Sequence, residues 1–125
     1  MDIRNIEDII LLVDRFYDKV NKDSLLSPVF NDFAEVSWED HLPVMYSFWS
    51  AVLFDTNTYK GQPFTSHIEL PVTTEHFHRW LELFKQTVDE NFKGEKAEEA
   101  KERADSIAYI FQTKLGLIKD NLSIL

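Results

Sequence analysis

Between Ile3 and Asn21 apolar residues recur every three or four positions, at Ile6, Ile9, Ile10, Val13, Phe16, Tyr17 and Val20. That period predicts an amphipathic helix laid on a core along one stripe. The pattern lapses after Ser24; Ser27-Pro28 marks a bend, and Val29, Phe30 and Phe33 follow as one short helical turn carrying aromatics inward. A second helix is predicted from Ser37 to about Phe54, because Ser37 and Asp40 stand at the separation of a capping box and the inward face reads His41, Met45, Phe48, Trp49 and Val52. Pro43 cannot donate a ladder hydrogen bond, so the regular helix either begins near Leu42 or bends in its first turn. Both alternatives put His41 beside a flexible entrance. Asn57, Gly61, Pro63 and Pro71 then break the chain, and Ser66 and Glu69 can cap a brief turn carrying His67 among Phe64, Ile68 and Leu70. A third helix runs from Thr73 or Thr74 to about Phe92, with Phe77, Trp80, Leu81, Phe84 and Val88 on its apolar face. His76 and His78 are two apart, point to different faces and read as ordinary, partly exposed histidines. After Gly94 the last helix lines up Ala97, Ala100, Ala104, Ile107, Ala108, Phe111 and Leu115 and ends near Leu117, the charged run from Glu95 to Arg103 being its solvated side.

These elements define an all-α chain, and no linker, repeat or low-complexity stretch divides residues 1–125, so a single domain is expected. The absence of cysteine excludes disulfides, thiolate zinc sites, thiolate haem ligation and ordinary iron–sulfur clusters. Thirteen basic against twenty-two acidic residues give a net charge of −9, which opposes a non-specific grip on nucleic acid or anionic lipid. With no long apolar run and no basic leader, the reading is a cytoplasmic monomer without nucleic-acid or membrane partners. No phosphate loop, nucleophile elbow or pair of metal-binding histidines one helical turn apart is present. Ten Phe and three Trp supply more aromatic area than a routine small core needs. A lone imidazole between helices, His67, is then a candidate axial ligand for a planar metal cofactor, with His41 on the other side of an apolar slot. An all-helical interaction module is the competing reading.

The residues also carry a family resemblance, spread over nearly the whole chain. Phe16-Tyr17, Pro28-Val29-Phe30-Asn31, Trp38-Glu39-Asp40-His41, Phe48-Trp49, Tyr59-Lys60-Gly61-Gln62-Pro63, His67, Leu70-Pro71 and Trp80 follow one another as in truncated haemoglobins of the third group. The resemblance implies a two-over-two sandwich of antiparallel helix pairs enclosing haem b, protoporphyrin IX iron. It implies His67 as proximal ligand and metal-binding residue, His41 at the distal position, Tyr17 as distal tyrosine, Phe30 as ring-packing phenylalanine and Trp80 as distal tryptophan. Trp49 is expected in packing or pocket lining, and Phe33, Met45, Phe48, Phe64, Ile68, Phe77, Ile107 and Phe111 around the ring. The implied function is reversible binding of O₂ or another small diatomic ligand by a five-coordinate ferrous haem, as in oxygen transport. Nitric-oxide dioxygenase or peroxidase-like chemistry is the enzymatic alternative. Either needs an external reductase to keep the iron ferrous, because the chain has no nicotinamide or flavin fingerprint.

Overall fold

The structure, a computed structural model, describes residues 1–55 and 72–117 apart from the side chain of Phe33. Its described elements are helices α1 (Ile6–Lys22), α2 (Trp38–Phe54), α3 (Thr74–Asn91) and α4 (Glu95–Lys114), with a wide turn at Val29–Phe33. No strand occurs among the described residues. Helix α1 packs on α2 and α3, α3 packs on α4, and α2 meets α4. The chain is therefore two helix pairs laid one over the other.

Helix α1 starts three residues later than the stripe from Ile3 suggests, because the Asn5 side chain accepts from the Asp8 N–H (3.1 Å) and caps the first turn. Its buried face is Ile9, Leu12, Val13, Phe16, Tyr17 and Val20, whereas Ile6 is exposed. A helix clasped by two neighbours buries a broad band, which is why Leu12 belongs to the core although it falls outside the predicted stripe. The Tyr46 hydroxyl donates to the Asp14 carboxylate across α1 and α2, and burial together with Asp14 pushes the phenol up to about 12.

The turn after Pro28 is wider than an α-helical one, with the Ala34 N–H bonded to the Val29 carbonyl five residues back (2.9 Å). Helix α2 then begins at Trp38, ahead of Pro43, so neither a start near Leu42 nor a Ser37–Asp40 capping box is found. The Ser37 side chain makes no cap bond; its carbonyl instead accepts from the N–H groups of Asp40 (3.1 Å) and His41 (2.8 Å). Proline in the second turn of a helix removes one ladder bond without stopping the helix. At the far end the Lys96 ammonium donates to the Leu53 carbonyl, a cation placed at a helix C-terminus.

Thr73 caps α3 as expected, and the link to α4 is made by residues from the other end of the chain. The Asp2 carboxylate accepts from the N–H groups of Lys96 and Ala97 (2.8 Å each), and the Met1 carbonyl accepts from the Lys93 N–H (2.9 Å). Ala97, Ala100, Ala104 and Ala108 are all buried, and their small side chains let α4 approach its neighbours closely.

Asp23 fastens the end of α1 to α3. Its buried carboxylate accepts from the N–H groups of Leu25 (3.2 Å) and Leu26 (3.0 Å) and from Nε of Arg79 (2.6 Å). Burial works to raise its pKa, but the Arg79 guanidinium and the two backbone donors outweigh burial and hold it below the ordinary carboxylate value. A carboxyl whose folded pKa is depressed contributes stability above its unfolded pKa, about 4, and loses that contribution as pH falls through the folded value. Asp23→Ala is expected to lower stability at neutral pH by about 2 kcal/mol, through the donors left unpaired. The deficit shrinks as pH falls through the depressed folded-state value, where the wild-type carboxyl is itself protonating. Urea unfolding of both proteins between neutral pH and pH 2 measures this; a deficit independent of pH counts against the assignment.

Candidate functional site

Where the two helix pairs cross, the core opens into an apolar cavity with about 820 Å³ of atom-free space, part of it continuous with solvent. Every helix contributes to it: Tyr17 from α1, His41, Met45 and Phe48 from α2, Phe77 and Trp80 from α3, Ile107 and Phe111 from α4. Phe30 enters from the wide turn and Trp49 from deeper along α2. The walls are hydrocarbon, and the few polar groups among them carry N–H or O–H donors.

Tyr17, Phe30 and His41 form one corner. The Tyr17 ring meets His41 edge-on at 5.3 Å between centroids and Phe30 at 5.9 Å, and Phe30 lies 6.4 Å from His41. Tyr17 reaches this corner because it shares a helix face with Val13 and Val20, one turn away on either side. Burial alone pushes its hydroxyl well above the ordinary phenol range, with no hydrogen bond contributing. The group is a neutral O–H donor at any physiological pH.

Along the adjoining wall Trp80 stacks on Phe84 (5.7 Å, 10° between planes), and Phe84 stacks in turn on Trp49 (4.7 Å, 18°). Phe16 closes the group edge-on, 5.2 Å from Phe84 and 5.7 Å from Trp80. This block is the junction of α1, α2 and α3, and it holds the indole in one orientation at the cavity wall. Tyr17, Phe30, His41, Met45, Phe48, Phe77, Trp80, Ile107 and Phe111 thus share one cavity. His67, Phe64 and Ile68 lie outside the described residues, and so does the side chain of Phe33.

The cavity also draws on residues that sequence reasoning left out: Leu26, Val29, Val72, Ala108 and His76. His76 is neither incidental nor simply surface. Its Nδ1 accepts the Thr73 N–H (3.0 Å), forming the reciprocal half of the α3 cap, and the residue lines the cavity one turn before Trp80. Both signals were present in the chain, as the three-residue separation from Thr73 and the four-residue separation from Trp80. With Nδ1 accepting, the proton of the neutral ring sits on Nε2.

A slot walled by aromatic and aliphatic side chains, bordered by tyrosine, indole and imidazole groups, fits a flat, largely apolar macrocycle carrying a metal with room for a small ligand. Such a cavity between crossed helix pairs is that of a globin in its shortened form. The family of bacterial-like globins matches residues 3–113, and the chain belongs to it. It is 36% identical over 115 residues to the group 3 truncated haemoglobin of Campylobacter jejuni, covering 89% of this chain and 91% of that one. The crystal structure of the group III truncated haemoglobin from Campylobacter jejuni matches with a TM-score of 0.84 at 34% identity, over 95% of this chain and 97% of that chain. Globin membership implies haem binding, and the cavity has the walls for it. Among the described residues no helix is long and apolar enough to cross a membrane.

Proposed function

We propose that this globin holds haem b through His67 and reversibly binds O₂ or another diatomic ligand on the side faced by Tyr17, Trp80 and His41. The observation that carries the reading is the convergence of a buried, proton-bearing Tyr17 hydroxyl and the Trp80 indole on one apolar cavity. When bound, haem supplies a redox-active iron able to take up a diatomic molecule. The chain's own residues do the rest. Phe30, Met45, Phe48, Phe77, Ile107 and Phe111 line the slot and keep water from its apolar interior. Tyr17 Oη–H and Trp80 Nε1–H donate to a small ligand that gains negative charge, and His41 stands at the mouth as gate. The Phe84 stack keeps the indole aimed, and the imidazole of His67 would hold the iron. The protein acts as a monomer in the cytoplasm, with an external reductase returning the iron to the ferrous state.

Titration of the haem-free protein with haemin is expected to give an equimolar complex whose axial ligation changes in His67→Ala. Failure to form that complex, or the same ligation without His67, overturns the proposal. A second reading, oxidation of nitric oxide by bound O₂ or peroxide reduction, draws on the same donors, since fixed N–H and O–H groups stabilise charge on reacting oxygen. Repeated turnover of nitric oxide in the presence of a reductant supports it, and a single slow stoichiometric reaction counts against it.

A further inference from the structure

The first turn of α2, which carries His41, lacks two of the usual fastenings of a helix start. Ser37 makes no side-chain cap bond, and Pro43 has no N–H to offer the Glu39 carbonyl. Besides the two backbone bonds to the Ser37 carbonyl, a side-chain tether from outside fastens the turn. The indole Nε1 of Trp38 donates to Oδ1 of Asn31 (2.8 Å). The Asn31 amide nitrogen donates in turn to the Ser27 carbonyl (3.1 Å), to Ser27 Oγ (3.2 Å) and to Oδ1 of Asn21 (2.9 Å) near the end of α1. The indole so tethered covers the corner of the cavity from behind: its ring is 5.5 Å from His41 edge-on, 5.2 Å from Tyr17 and 5.8 Å from Phe30.

We propose that the Trp38–Asn31 hydrogen bond is a latch that sets how far His41 closes the cavity, making Trp38 and Asn31 positioning residues for ligand access. The physical argument is one of linkage. A helical turn short of its own bonds takes its position from the contacts that remain, and Trp38 touches His41 directly while being pinned to the end of α1. With the latch released the turn loses one of its restraints, and any displacement away from Tyr17 and Phe30 carries the imidazole with its backbone. The role of the gate rests on the haem-pocket reading above; the mobility of His41 does not, and the two are measured separately.

Two variants remove the bond, one from each side. Trp38→Phe keeps an aromatic ring near Tyr17, His41 and Phe30 but removes the N–H, and Asn31→Ala removes the acceptor. Two quantities are read: the rate at which diethyl pyrocarbonate modifies His41, resolved by peptide mass, and the association rate of carbon monoxide with the haem-loaded protein after flash photolysis. Trp38→Phe and Asn31→Ala are each expected to raise both rates by about three- to ten-fold, the shift that follows from losing one hydrogen bond. The double variant should match either single one, since a bond can be broken only once. Modification of the exposed His78 should not change. Unchanged His41 rates in both single variants, multiplicative effects in the double variant, or a parallel rise at His78 that signals general loosening would each overturn the latch. A wild-type protein that takes up no haem removes the pocket reading, while modification of His41 still decides whether the latch exists.

Discussion

Tyr17→Phe is expected to release O₂ roughly five- to thirty-fold faster than the wild type, the factor that corresponds to losing a hydrogen bond of about 1–2 kcal/mol. The ring keeps its place, because the edge contacts with Phe30 and His41 and the tilted contact with Phe16 involve ring atoms that phenylalanine shares. Haem affinity should therefore change little. The haem-free protein should be as stable or more so, since the deleted hydroxyl is buried and nothing but burial shifts its pKa. Trp80→Phe should speed release by a similar factor and also cost stability, because a smaller ring cannot fill the stack on Phe84 and the edge contact with Phe16. Stopped-flow displacement of O₂ by carbon monoxide measures both. Unchanged release in the two variants removes Tyr17 and Trp80 from the mechanism and leaves the cavity without its donor pair.

Gly94→Ala is expected to destabilise the fold by about 3 kcal/mol, lowering the melting temperature by roughly 10 °C. Two independent causes act at this residue. Its φ of 147° is a backbone conformation that residues with a Cβ rarely adopt. An added Cβ would also lie 2.5 Å from Cγ of Asp2. The Asp2 side chain cannot simply rotate aside, because its carboxylate caps α4 through the N–H groups of Lys96 and Ala97 and also accepts from its neighbour Ile3 (2.8 Å). Burial works to raise the Asp2 pKa, yet these donors and the N-terminal ammonium outweigh it and keep the carboxylate ionised. In an Asp2→Gly background Cγ and the Cβ that would lie 2.7 Å away are both gone and only the backbone term remains, so Gly94→Ala should then cost less. Equal losses in both backgrounds, measured by calorimetry, would show that the close approach of Asp2 plays no part.

Periodicity made the helices readable. Four runs of apolar residues spaced by three and four locate α1 to α4 to within a few residues, since a helix resting on a core must bury one stripe whatever it rests on. The ends were less legible where competing local signals had to be weighed. Ser37 and Asp40 have capping-box spacing, yet the Ser37 side chain stays out of the cap, while Thr73 finds its reciprocal partner in His76, a residue type outside the usual acid or amide pattern. Of the two starts that Pro43 suggested for α2, late or bent, the late one is not found, since the helix begins at Trp38, five residues before the proline.

The cavity required a different kind of information. Tyr17, His41 and Trp80 stood out because their types and order resemble those of a known family, and the helices bring all three to one apolar space. That Leu26, Val72, Ala108 and His76 join them depends on how the helix pairs cross, and the period of a single helix contains no record of its crossing angle. The Asp2 cap on α4 and the Asp23–Arg79 tie span most and nearly half of the chain, and the Trp38–Asn31 bond, only seven residues apart, joins two different elements. By itself the sequence determined the helical class, the inward face of each helix and the chemistry available for the pocket, because those follow from side-chain type and local period. Only the tertiary structure decided which of those faces meet, since donors distant in sequence find their acceptors through packing, and it is packing that turns a list of aromatic residues into a cavity.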